Sequence, residues 1–152
     1  MTGESGAALS QAKKGLVFDD RRLATLTALL DSIIPPDAET PGGVAGGSLA
    51  YLLDGLAEGG HLNALLPAYQ ELLDALDTVA VFRGGAFAAL APETRDELLR
   101  SLEEGTPILR APWTEEERRL YRDLFFQLAE QAQEGYYTNP ANWAGVGFVV
   151  QG

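Results

Sequence analysis

Leucine and isoleucine recur every three or four residues through "DDRRLATLTALLDSIIP", residues 19–35, with polar side chains between them. That spacing lays one apolar stripe along a helix. Leu23, Leu26, Leu30, Ile33 and Ile34 form its inward side. Asp19 or Asp20 accepts the free amides of the first turn. Pro35 and Pro36 end it, because proline has no amide hydrogen and clashes with the preceding turn. The stretch "PPDAETPGGVAGG" that follows reads as a loop.

Four more helices follow from the same pattern. The second covers Ser48 to Ala57, with Leu49, Leu52, Leu53 and Leu56 inward and Gly59-Gly60 closing it. The third is predicted from about Leu62 to Phe82, and Pro67 marks either its start or a bend. Phe87 and Leu90 form a short turn before a fourth helix, in which Pro92 suits the first position and Leu98, Leu99 and Leu102 face the core. The fifth opens on Thr114 and Glu117, a capping-box spacing, behind Trp113. Its inward stripe is expected to be Leu120, Tyr121, Leu124, Phe125 and Leu128, with Gly135 as C-cap.

The fold class is therefore all-α, a bundle of about five helices with an irregular, aromatic-rich C-terminal tail. Residues 1–18 are expected as a flexible arm, 19–134 as the bundle and 135–152 as a docking tail. The only stretch with strand character is "VGFVV", 146–150, which would serve as an edge strand.

Composition narrows the function. The chain has 152 residues and a net charge of −11, and between Leu23 and Phe82 there are eight carboxylates and no lysine or arginine. Such a surface repels phosphate backbones and anionic lipid, so nucleic acid is excluded as a partner. No run of 18 apolar residues occurs, so no direct membrane insertion is expected. Cysteine is absent, which removes disulfides, thiolate metal sites and cysteine nucleophiles.

Groups able to do chemistry are few. His61, the single histidine, follows two glycines at a helix start and reads as an exposed surface residue. The carboxylate pairs Asp74 and Asp77, Asp96 and Glu97, Glu103 and Glu104, and the run Glu115 to Glu117 fall on polar helix sides and read as solvated. A general acid needs instead an apolar pocket that raises its pKa. "GGVAGGS" has neither a preceding strand nor a following lysine, so it matches no nucleotide-binding turn and reads as a flexible loop. No Glu-x-x-His element and no G-x-S-x-G elbow is present. The chain is expected to hold no catalytic residues, no metal and no cofactor.

The C-terminal stretch "EGYYTNPANWAGVGFVVQG" carries the remaining signal. Exposing Tyr136, Tyr137, Trp143 and Phe148 beside three valines would invite aggregation. These side chains either fold back over the bundle or lie on another protein. Tyrosine and tryptophan tolerate half-wet contacts, which favours a packing that includes a partner surface. Asn139-Pro140 would set a turn there. Tyr136, Tyr137, Asn139, Pro140, Trp143 and Phe148 are accordingly the candidate partner-contact residues.

Taken in order, "LATLTALLDSIIPPDAETPGG", "FAALAPETRDELLRSLEEG" and "FFQLAEQAQEGYYTNP" resemble the gluconate 2-dehydrogenase subunit 3 family over about residues 23–149. Ile34 and Pro35, Phe87 and Leu90, Leu98 and Leu99, and Gly135, Tyr136, Tyr137 and Pro140 match its motifs. "ANWAGVG" departs from the Gly-Gly-Asn segment common after the tyrosine pair. The resemblance implies a small, non-catalytic subunit of a large FAD-dependent dehydrogenase of the glucose–methanol–choline type, acting on sugars, sugar acids or polyols. FAD is then expected in the partner subunit, with a cytochrome subunit in the same complex. The resemblance also implies help with folding, stability or export of that partner. Location is expected to be periplasmic if the chain travels with its partner or loses a signal, and cytoplasmic otherwise. Two rival readings are a stand-alone lyase or isomerase built on tyrosine and carboxylate groups, and a transient folding or export chaperone.

Overall fold

The computed structural model of the chain describes residues 17–106 and 111–140. Five α-helices occur among the described residues: α1 (Asp20–Ile33), α2 (Ser48–Leu56), α3 (Leu66–Ala80), α4 (Pro92–Glu104) and α5 (Glu115–Tyr137). Single 3-10 turns lie at Asn63–Leu65, Val81–Arg83 and Phe87–Ala89. No strand is found among the described residues.

Most boundaries have the local causes the sequence suggests. The Asp19 carboxylate accepts from Arg22 N at 2.8 Å and caps α1. Thr114 and Glu117 make a reciprocal capping box at the head of α5, with bonds of 2.9 and 3.0 Å. Gly105 ends α4 with φ +71°, a left-handed conformation that glycine enters without a Cβ clash. Pro67 starts α3 rather than bending it. The expected Leu62–Phe82 helix is therefore shorter, and tightens to 3-10 turns at both ends.

α5 is the axis of the bundle. It packs most extensively on α2 and also touches α1, α3 and α4. Leu26, Leu29 and Leu30 of α1, Tyr69, Leu72, Leu73 and Leu76 of α3, and Leu98 and Leu102 of α4 meet at the centre, all at most 1% exposed. Leu29 lies outside the expected stripe of α1; neighbours on more than one side widen the face it must bury. Leu120 is 44% exposed, against expectation. The buried arc of α5 centres on Tyr121, Leu124 and Leu128, and Leu120 sits about 100° from its middle. Tyr121 takes the inner place and is met edge-on by Trp113 at 4.8 Å.

Both expected domain edges move. Val17 and Phe18 are buried core residues rather than part of an arm, and α5 runs through Gly135 and Tyr136 to Tyr137 instead of stopping at a Gly135 cap. A methyl at Gly135 would lie 2.6 Å from Tyr51 Cβ. Glycine is there to let α5 and α2 approach, not to end the helix. The expected arm up to residue 16, the edge strand at 146–150, Trp143 and Phe148 lie outside the described residues.

Candidate functional site

The last turn of α5 and the loop between α1 and α2 form one interlocked unit. Tyr136 is 2% exposed; its hydroxyl donates to Pro41 O at 2.9 Å, and a Cβ on Gly46 would overlap its ring. Asn139 Nδ2 donates to Gly46 O at 2.9 Å. One turn earlier, the buried Ser48 hydroxyl donates to Ala132 O at 2.6 Å. The glycines make these approaches possible. A methyl on Gly43 would meet Leu30 O at 2.6 Å, and one on Gly42 would meet Asp31 Oδ1 at 2.6 Å. That same carboxylate oxygen accepts from Val44 N at 3.1 Å, and Gly43 N donates to Ile34 O at 2.8 Å. "GGVAGGS" is therefore a docked loop, not the flexible one expected from its composition.

Of the six candidate contact residues, four are described. Tyr136 faces inward and Asn139 is half-buried on the loop, whereas Tyr137 is 47% exposed and Pro140 is exposed. Tyr137 stands edge-on to Tyr136, with ring centroids 5.3 Å apart. The tyrosine pair thus divides its labour, one ring anchoring the loop and the next facing outward.

His61 is exposed, and its Nε2 lies 3.2 Å from the Tyr51 hydroxyl with the rings edge to face. Burial, followed by the nearby Glu134 carboxylate, raises the Tyr51 pKa. Tyr51 thus takes part both in this contact and in the Gly135 crossing.

Asp74 and Asp77 are not the solvated pair the sequence suggested. Arg21 contacts both, and Arg22 grips Asp74 through Nε at 3.0 Å and a terminal nitrogen at 2.9 Å. Asp77 also accepts from Thr25 Oγ1 at 3.0 Å and from Phe87 N at 2.9 Å. The hydrogen bond from Arg22 comes first in holding Asp74 down to about 2, with Arg21 adding to it against the opposing effect of burial. Both carboxylates tie α1 to α3, and Asp77 also holds the Phe87 turn. Sequence spacing gave no hint of this, because it depends on which helices are neighbours.

The buried Tyr69 hydroxyl is pushed up to about 12, first by burial and then by Glu130. Three surface hollows of about 270, 210 and 500 Å³ are lined by neither Tyr136 nor Tyr137. Among the described residues no group of three or more His, Cys, Asp or Glu side chains could hold a metal ion. No described helix is long and apolar enough to cross a membrane.

A five-helix body whose last helix interlocks with its own glycine loop is an all-α helical bundle. The chain belongs to the gluconate 2-dehydrogenase subunit 3 family, whose model matches residues 20–149. As a member it is a small accessory subunit of a dehydrogenase complex. No curated protein and no solved structure shows significant similarity to it.

Proposed function

We propose that this chain is the non-catalytic small subunit that binds and stabilises a large FAD-dependent dehydrogenase of the glucose–methanol–choline type, oxidising a sugar, sugar acid or polyol. The family match over residues 20–149 carries this reading. The geometry of the matching motifs supports it. "EGYYTNP" and "IIPPDAETPGG" pack on each other through Tyr136, Asn139, Pro41 and Gly46. Tyr137 stands exposed at the end of this interlocked unit.

Flavin and electron transfer belong to the partner in this reading, and a cytochrome subunit would complete the complex. The docking residues in this reading are Tyr137, Pro140, Trp143 and Phe148, while Tyr136 and Asn139 hold the end of α5 on the glycine loop. The rival enzyme reading needed a cleft containing a tyrosine hydroxyl, and the Tyr136 hydroxyl is committed to Pro41 O. Expressing the large subunit with and without this chain tests the proposal. The expected result is a higher yield of flavin-loaded protein and a longer half-life on mild heating when both are present. Equal yield and equal half-life would contradict it.

A further inference from the structure

The first two turns of α5 and the end of α4 border a hollow of about 210 Å³ whose charge is unlike that of the whole chain. Arg118, Arg119 and Arg122 line it, with Glu104, Gly105 and Glu115. Three cations against two carboxylates leave a local excess of +1, in a chain whose net charge is −11. Arg119 is occupied, bridging to Glu115 at 2.8 Å. Among the described residues the side chains of Arg118 and Arg122 make no hydrogen bond or ion pair, although the chain has 22 aspartates and glutamates for 11 lysines and arginines.

These two guanidiniums are four residues apart, so they share one helix face and repel each other. Arg118 is half-buried, and an anion between the pair would offset that repulsion. Arg122 lies over the Phe126 ring, 5.4 Å from its centroid. Contact with a ring face leaves a guanidinium with N–H donors for a second partner. A Cβ built on Gly105 would stand 3.9 Å from Arg122 Nη1, so the glycine keeps the hollow open toward that group.

Size and charge narrow the occupant. Sites that enclose a whole small molecule run from about 300 to 1,000 Å³, so this hollow fits one anionic group and not a cofactor. Glu104 lines the same wall, and α4 ends at Gly105 with its negative pole. Both oppose a doubly charged phosphate. A carboxylate carries a single charge, and its planar pair of oxygens matches guanidinium donors. We propose that this hollow is a carboxylate-binding site, in which Arg118 and Arg122 donate to the carboxylate oxygens and Glu104 keeps more highly charged anions out.

The test is a titration of the isotope-labelled full-length chain with sodium acetate at fixed ionic strength, with sodium chloride as reference, followed by the arginine Nε–H NMR resonances. Saturable shifts at Arg118 and Arg122 that chloride does not produce are expected. R118Q and R122Q each remove one charged donor and are expected to weaken acetate binding by about tenfold. E104Q leaves all three arginines in place and is expected to tighten it severalfold, which decides the point should either arginine variant fail to fold. R83Q, at the Arg83–Glu97 pair elsewhere, should change nothing. Shifts no larger than those with chloride overturn the site, as does saturable binding that R118Q, R122Q and E104Q leave unchanged. Tighter binding of phosphate than of acetate overturns the carboxylate assignment. Repeating the titration on the complex with the large subunit identifies the source. Loss of the acetate response there assigns the site to an acidic side chain of that subunit, and an unchanged response assigns it to a small carboxylic acid; either upholds the site.

Discussion

Tyr136 and Tyr137 are adjacent in sequence and opposite in consequence, and replacing each by alanine separates anchor from surface. Tyr136 is 2% exposed, with its ring against Gly46 and its hydroxyl on Pro41 O at 2.9 Å. Truncating a buried aromatic costs about 3 to 5 kcal/mol through lost burial and the cavity left behind. In a domain of this size that lowers the melting temperature by roughly 6 to 20 °C. Y136F keeps the ring and loses only the hydrogen bond, so about 0.5 to 1.5 kcal/mol is expected. Tyr137 is 47% exposed, and Y137A should cost less than about 1 kcal/mol. Thermal and urea unfolding followed by far-ultraviolet circular dichroism, on all three variants and wild type, gives the ordering. Equal melting temperatures for Y136A and Y137A would refute it and would show that the end of α5 is not packed on the glycine loop.

Other outcomes follow from the same contacts. Gly46→Ala drives a methyl into the Tyr136 ring and should destabilise by about 1 to 3 kcal/mol; in a Y136A background the cost should fall without vanishing, because the methyl also lies 2.9 Å from Gly42 O, a non-additivity readable from a double-mutant cycle. Gly135→Ala meets Tyr51 Cβ at 2.6 Å, so despite alanine's better helix propensity it should lower rather than raise the urea midpoint. Asp74, held at about 2 against an ordinary 3.8, contributes stability that is full above about pH 3.8 and is lost as pH falls toward 2. With its side chain 41% exposed, screening limits this to about 1 kcal/mol or less, and D74N should lack that segment of the acid unfolding curve.

Local patterns announced the helices because their causes are local. Pro35, Pro67 and Pro92 mark boundaries by removing an amide hydrogen, and Thr114 with Glu117 forms its box within a single turn. What stayed hidden depends on distant neighbours. A glycine near a helix end suits both a cap and a close crossing, and only the position of Tyr51 shows that Gly135 serves the second. The run "GGVAGGS" has the composition of a flexible linker, yet Leu30, Asp31 and Tyr136 press on it from two helices. The bridging of Asp74 and Asp77 to Arg21 and Arg22 likewise follows from α1 and α3 being adjacent.

The most direct test of the account is size-exclusion of this chain co-expressed with its large subunit, following flavin absorbance and dehydrogenase activity across the fractions. The account predicts that both chains elute together, with flavin and activity in that peak and no turnover by the small chain alone. Elution of the small chain by itself, beside a fully active and equally stable large subunit, would contradict it.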